Sequence, residues 1–203
     1  MIELVRGLHD FRPEDFRPSQ RLFEQAGRAG KPEAMIIACS DLGIDPHSLI
    51  PTNLQDLYVL QHIGNIVPPH NPRAGVGPSS LEGALDQYPL KDIIVCGHSP
   101  CGAMKGFLND EEITAMPTVA AWLGHAARTR AIVEEHYSRL AGEALLTAAA
   151  AENVLVQLEN LRTIPAVAHK LERGDLHLHG WIYRDVTIFS YAPRRGAFVP
   201  LAQ

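Results

Sequence analysis

IIVCGHSPCGAM, residues 93–104, decides how this chain is read. Its first half continues from Asp92 as a nearly unbroken apolar run, the composition of a strand buried on both faces of a parallel sheet. The run ends at Gly97, and the chain then turns into a helix expected to start near Gly102. His98 and Cys101 therefore stand three apart, just past the carboxyl end of a buried strand. Open α/β sheets place their ligand sites at that end. AMIIAC (34–39) and LYVLQHI (57–63) read as strands for the same reason, and Cys39 closes the first of them.

Cys39, His98 and Cys101 thus converge on one rim of the sheet. Two thiolates and one imidazole suit Zn2+, and three protein ligands leave a fourth position for water or substrate, the pattern of a catalytic site. A cysteine at a strand end also serves as a small core hydrophobe. That plainer role is the one expected of Cys96, which lies inside the strand.

Working outward, PPHNPRAGVGP (68–78) is a loop by its Pro and Gly content, and SSLEGALDQY (79–88) reads as a helix capped by Ser79 or Ser80. Together with the flanking strands this makes a βαβ crossover. Residues 117–172 are helical by period, with breaks near Gly142 and at Thr163, Ile164 and Pro165, and Gly174 ends the region. LHLHGWIYR and VTIFSYA follow as two strands joined by a tight turn near Arg184 and Asp185. In the first thirty residues, Phe11, Phe16, Leu22 and Phe23 recur among charges as short amphipathic helices, an arm suited to packing on a neighbour. The expectation is a single α/β domain over 1–203: a mostly parallel central sheet, flanking helices and an N-terminal helical arm over 1–30.

Composition sets the wider bounds. In 203 residues, 46% apolar and 20% charged, the chain is that of a folding globular protein. Its 23 acids outnumber 18 bases, for a formal charge of −5 with no basic block, which argues against nucleic acid. No apolar run reaches the roughly 18 residues of a membrane span, and charge interrupts every apolar patch near the start. A cytoplasmic location is expected. Three cysteines are an odd, low count, better explained as ligands or core residues than as disulfides.

Cys39, Asp41 and then His98, Cys101 match the CxDxR and HxxC motifs of the β-class carbonic anhydrases. IIVCGHSPCGAM, GNIV, SSLEGAL, ENVLVQLENLR and LHGWIY extend the likeness from about residue 20 to Leu201. The chain resembles that family. The resemblance implies Cys39, His98 and Cys101 as zinc ligands, a homodimer or larger dimer-based oligomer, and reversible hydration of CO2 to bicarbonate by zinc-bound hydroxide. It further implies that Asp41 accepts a hydrogen bond from the zinc-bound water while an Arg two residues later restrains it. Here position 43 is Gly and position 42, usually Ser, is Leu. An Asp41 without that guanidinium is free to become the fourth zinc ligand, so activity is expected to be weak or pH-gated. His47, His62 and Arg73 are the replacement cations considered, each also explicable as a surface or capping residue. Gly102 offers a backbone N–H to a bicarbonate oxygen, or serves only the turn. Alternative readings are a zinc-binding homologue without turnover, and a hydrolase of carbonyl sulfide or carbon disulfide whose pocket Leu42 and Gly43 make more apolar. Met104 and Phe107 are expected in the core, and His177 and His179 on the surface or at a dimer contact.

Overall fold

The computed structural model describes residues 31–50, 56–71, 76–109 and 113–201. The arm expected over 1–30 lies outside them, as does Arg73. Pro32–Gln203 forms one compact unit. At its centre are β1 (Ala34–Cys39), β2 (Leu57–His62), β3 (Asp92–His98), β4 (His177–Arg184), β5 (Thr187–Ala192) and β6 (Ala197–Pro200). The order is β2-β1-β3-β4-β5-β6, with the first four strands parallel and β5 and β6 added antiparallel. The three apolar segments and the two late strands are where the residue pattern puts them. β6 is an addition that the sequence did not announce, because four residues with exposed ends carry little apolar signal.

The period of two along β1 divides the core. Met35, Ile37 and Cys39 face the larger cluster with Ile93 and Val95, while Ile36 and Ala38 face a smaller one with Ile94 and Cys96. Cys96 is fully buried there, as expected of a core thiol. Met104 and Phe107 are buried in the larger cluster.

Helices α1 (Val76–Gln87), α2 (Gly102–Leu108), α3 (Pro117–Leu123), α4 (Ala127–His136), α5 (Gly142–Arg162) and α6 (Pro165–Glu172) cover the sheet. α1 begins three residues before Ser79, so Ser79 and Ser80 lie inside it and do not cap it. Pro78 explains the misplacement, since proline marks a loop yet fits the first helical turn, where no backbone N–H is needed. The breaks at Gly142 and Pro165 stand where composition places them. Asp185 and Val186 make the β4–β5 turn, with φ of 51° and 60°.

α5 crosses β3 and β4 at very short range. A Cβ on Gly97 would meet Val154 at 2.9 Å, and one on Gly180 would meet the other methyl of Val154 at the same distance. The two glycines let the helix descend onto the sheet. Its buried face carries polar residues toward the rim where Cys39 and His98 end: Asn153 and Gln157 are 1% and 0% exposed.

Candidate metal centre

Each candidate ligand is placed by the end of a regular element. Cys39 is the last residue of β1, His98 the last of β3, and Cys101 is the N-cap of α2. All three are buried. Asp41 follows in a turn closed by the Leu42 N–H donating to the Cys39 carbonyl, 3.2 Å. Leu42 anchors that turn in the smaller core with Ile36 and Cys96, and Asp41 projects over the rim.

One ligand atom from each of Cys39, Asp41, His98 and Cys101 lies within 4.8 Å of the other three. The two sulfurs are 3.8 Å apart. Two thiolates bound tetrahedrally at about 2.3 Å from one ion stand about 3.8 Å apart, so the pair already has the spacing of a zinc site. The donor set of two sulfurs, one imidazole nitrogen and a carboxylate fits the same ion.

Asp41 occupies the middle of this group. Its Oδ1 is 2.7 Å from Cys39 Sγ, 2.7 Å from His98 Nε2 and 3.8 Å from Cys101 Sγ. Its Oδ2 accepts the Gly102 N–H at 2.8 Å. Burial opposes ionisation of this carboxyl, but hydrogen bonds from Cys39 and Gly102 and the charge of His98 outweigh it and hold the group below its usual range. Burial likewise opposes protonation of His98, but its hydrogen bond with Cys39 and, after it, the charge of Asp41 prevail and raise its pKa. The thiols share their protons unequally. The hydrogen bond from Cys101 brings Cys39 down to about 6, while that same bond and burial push Cys101 up.

Among the described residues, Asp41 forms its ion pair with His98. His47 pairs with Asp45 at 2.9 Å and lies inside the short 3-10 turn that Asp45 caps. His62 packs its ring edgewise on Trp122, and burial depresses its pKa, which disfavours the cationic form. Neither takes the place of the family's arginine. Gly43 has φ +79°, a left-handed conformation in which an arginine would be strained. The Gly102 N–H is taken up by Asp41 in this arrangement.

A cavity of about 290 Å3 opens beside Asp41 and Gly102. Its apolar wall is Ile63, Ile113, Met116, Val119 and Leu123. Leu42 is turned to the opposite side of the sheet and does not make this pocket more apolar, contrary to the expectation attached to Leu42 and Gly43.

Several contributors were not singled out from the sequence. The Gly64 N–H donates to Cys39 Sγ at 3.2 Å. Asn153, Gln157 and Asn160 hold the segment 64–67 from below. A signal existed for those three: polar side chains at i, i+4 and i+7 in an otherwise apolar helix form one buried stripe. The pocket wall after residue 110 had none, since its apolar residues resemble any core face.

Residues 34–187 match the family model described as carbonic anhydrase. The chain is 44% identical over 185 residues to a carbonic anhydrase of Synechocystis sp., an alignment covering 91% of this chain and 68% of that protein. It is 38% identical over 206 residues to carbonic anhydrase 1 of Escherichia coli O157:H7, covering 100% of this chain and 93% of the other. The solved structure of the β-carbonic anhydrase CcaA superposes with a TM-score of 0.88 at 42% identity, covering 99% of both chains. With sequence and overall fold in agreement, the chain belongs to the β-class carbonic anhydrase family and, with it, to the carbonate dehydratase lyases.

Proposed function

We propose that Cys39, His98 and Cys101 hold Zn2+ and that the chain hydrates CO2 reversibly to bicarbonate, with Asp41 gating the site. The observation that carries this reading is the 3.8 Å sulfur pair beside His98 at one rim of the sheet. Zinc, when bound, supplies Lewis acidity that brings the pKa of a coordinated water from about 15.7 toward neutrality.

The chain's own residues supply the rest. Ile63, Met116, Val119 and Leu123 offer an apolar wall to an uncharged linear substrate and limit competing water. Asp41 holds Oδ1 in the middle of the ligand atoms and is the candidate fourth ligand. For substrate to react, its carboxylate must turn away. The Gly102 N–H is then released and faces the site from the start of α2, placed to donate to an oxygen of bicarbonate. Asp41, once displaced, stays at the pocket rim as a hydrogen-bond acceptor.

The test is metal content with stopped-flow proton release. About one zinc per chain and a CO2 hydration rate that is low at pH 7 and rises toward pH 9 are expected. Buffer-level rates across that range in zinc-loaded protein would reject the catalytic reading. They would favour a zinc-stabilised homologue without turnover, for which the central position of Asp41 is the supporting observation. A dimer or dimer-based assembly is part of the proposal, supported by Ile188, Phe189, Phe198 and Val199 remaining only half-buried on the last two strands. A cytoplasmic location accords with free Cys39, Cys96 and Cys101. No described helix is long and apolar enough to cross a membrane.

A further inference from the structure

The peptide joining Ile63 to Gly64 is gripped at both of its polar ends. Its N–H donates to Cys39 Sγ at 3.2 Å, and its carbonyl accepts the Trp122 indole N–H at 2.8 Å. These atoms belong to one amide, so a donor on the carbonyl side polarises the bond and makes the N–H a stronger donor to sulfur. Trp122, Ile63, Gly64 and Cys39 form a continuous relay that ends at the Cys39 sulfur.

The relay is braced on its other flank. The Gly64 carbonyl accepts from Asn153 Nδ2 at 2.9 Å. Asn153 cannot flip its amide without loss, because its Oδ1 already receives Gln157 Nε2 at 2.9 Å and the Thr129 hydroxyl at 3.3 Å. Gln157 and Asn160 then hold Val67 through its N–H and its carbonyl, both at 2.9 Å. Gly64 turns with φ +71°, and a Cβ there would press on Ile66 at 3.3 Å. The sequence therefore spends a buried amide ladder and a glycine on presenting one N–H to one sulfur.

We propose that Trp122 is a positioning residue for the metal centre, acting through the Ile63–Gly64 peptide to set the charge that Cys39 donates to the metal. This rests on the reading that Cys39 is a ligand. An N–H···S bond draws charge from a thiolate and orients its lone pairs, and partners outside the ligand set commonly change metal affinity by about 10- to 100-fold. Trp122 itself is steadied by His62 and His125, whose rings stand edgewise to it at 5.4 and 5.7 Å.

The experiment compares the full chain with Trp122→Phe and His125→Ala, each loaded with Co2+ and separately with Zn2+. Trp122→Phe keeps an aromatic ring but deletes the donor, whereas His125→Ala removes a packing partner and leaves the relay. The expected result for Trp122→Phe is a thiolate-to-cobalt charge-transfer band moved to longer wavelength and about tenfold faster zinc loss to a chelator. His125→Ala should match the parent in both. A superimposable spectrum in Trp122→Phe, or equal shifts in the two variants, would overturn the inference. In Cd-113-substituted parent protein, a scalar coupling between the metal and the Gly64 amide proton is expected across the sulfur. Its absence would overturn the inference even if Trp122→Phe failed to fold. Absence of any thiolate-to-cobalt band in the parent would instead strike the ligand reading of Cys39.

Discussion

Replacing Gly102 by alanine tests whether Asp41 closes the site. The added Cβ would sit 2.8 Å from Asp41 Oδ2, roughly 0.6 Å inside ordinary van der Waals separation. The obstructing atom is the tip of a half-exposed side chain, with side-chain exposure of 47%, so the carboxylate yields and the backbone does not. In retreating, Asp41 gives up the Gly102 N–H, a hydrogen bond to a charged group worth about 1.5 kcal/mol. That loss multiplies the open arrangement about tenfold relative to the closed one. The fold should tolerate the change, because position 102 opens α2 without a positive φ and alanine favours helix more than glycine. Stopped-flow CO2 hydration at pH 7.5 should rise several-fold, and a small competing anion such as thiocyanate should inhibit about tenfold more tightly. Parental rate and parental anion inhibition, in a variant with unchanged zinc content and thermal midpoint, would refute the gating argument.

Gly43→Arg returns the family's guanidinium to a backbone at φ +79°, so it should lower stability by about 1 kcal/mol while raising hydration activity by drawing Asp41 away; denaturant unfolding and stopped-flow assays separate the two effects. Gly97→Ala forces a methyl against Val154 at 2.9 Å and Ile182 at 3.0 Å and should cost about 1–3 kcal/mol, read as a lower unfolding midpoint. The Tyr137 hydroxyl donates to Glu152 at 2.6 Å, and that bond is the main cause of a phenol pKa pushed up to about 12. A raised pKa means the folded state favours the protonated phenol, so its stabilisation is complete below about pH 10 and lost as pH climbs toward 12. The melting-temperature gap between parent and Tyr137→Phe should accordingly narrow over that interval. Stripping the proposed metal should lower the unfolding midpoint, since one ion held by Cys39, His98 and Cys101 would tie the ends of β1 and β3 to the start of α2; differential scanning calorimetry with and without a chelator reports it.

Residue order alone determined the parallel sheet and its ligand rim. Continuous apolar strands must be buried on both faces, and each of Cys39, His98 and Cys101 follows or ends such a run within a few positions. The breaks at Gly142 and Pro165 were equally legible, because glycine and proline act through their own backbone geometry. The tertiary structure alone decided what surrounds the sulfur. The carboxylate of Asp41 lies among the ligand atoms, Leu42 turns to the far side of the sheet, and the Ile63–Gly64 peptide aims its N–H at Cys39. Those outcomes depend on the direction in which a turn leaves a strand and on contacts between positions as distant as 64 and 153. A local pattern of polar and apolar residues records which groups must be buried, but not which buried group meets which.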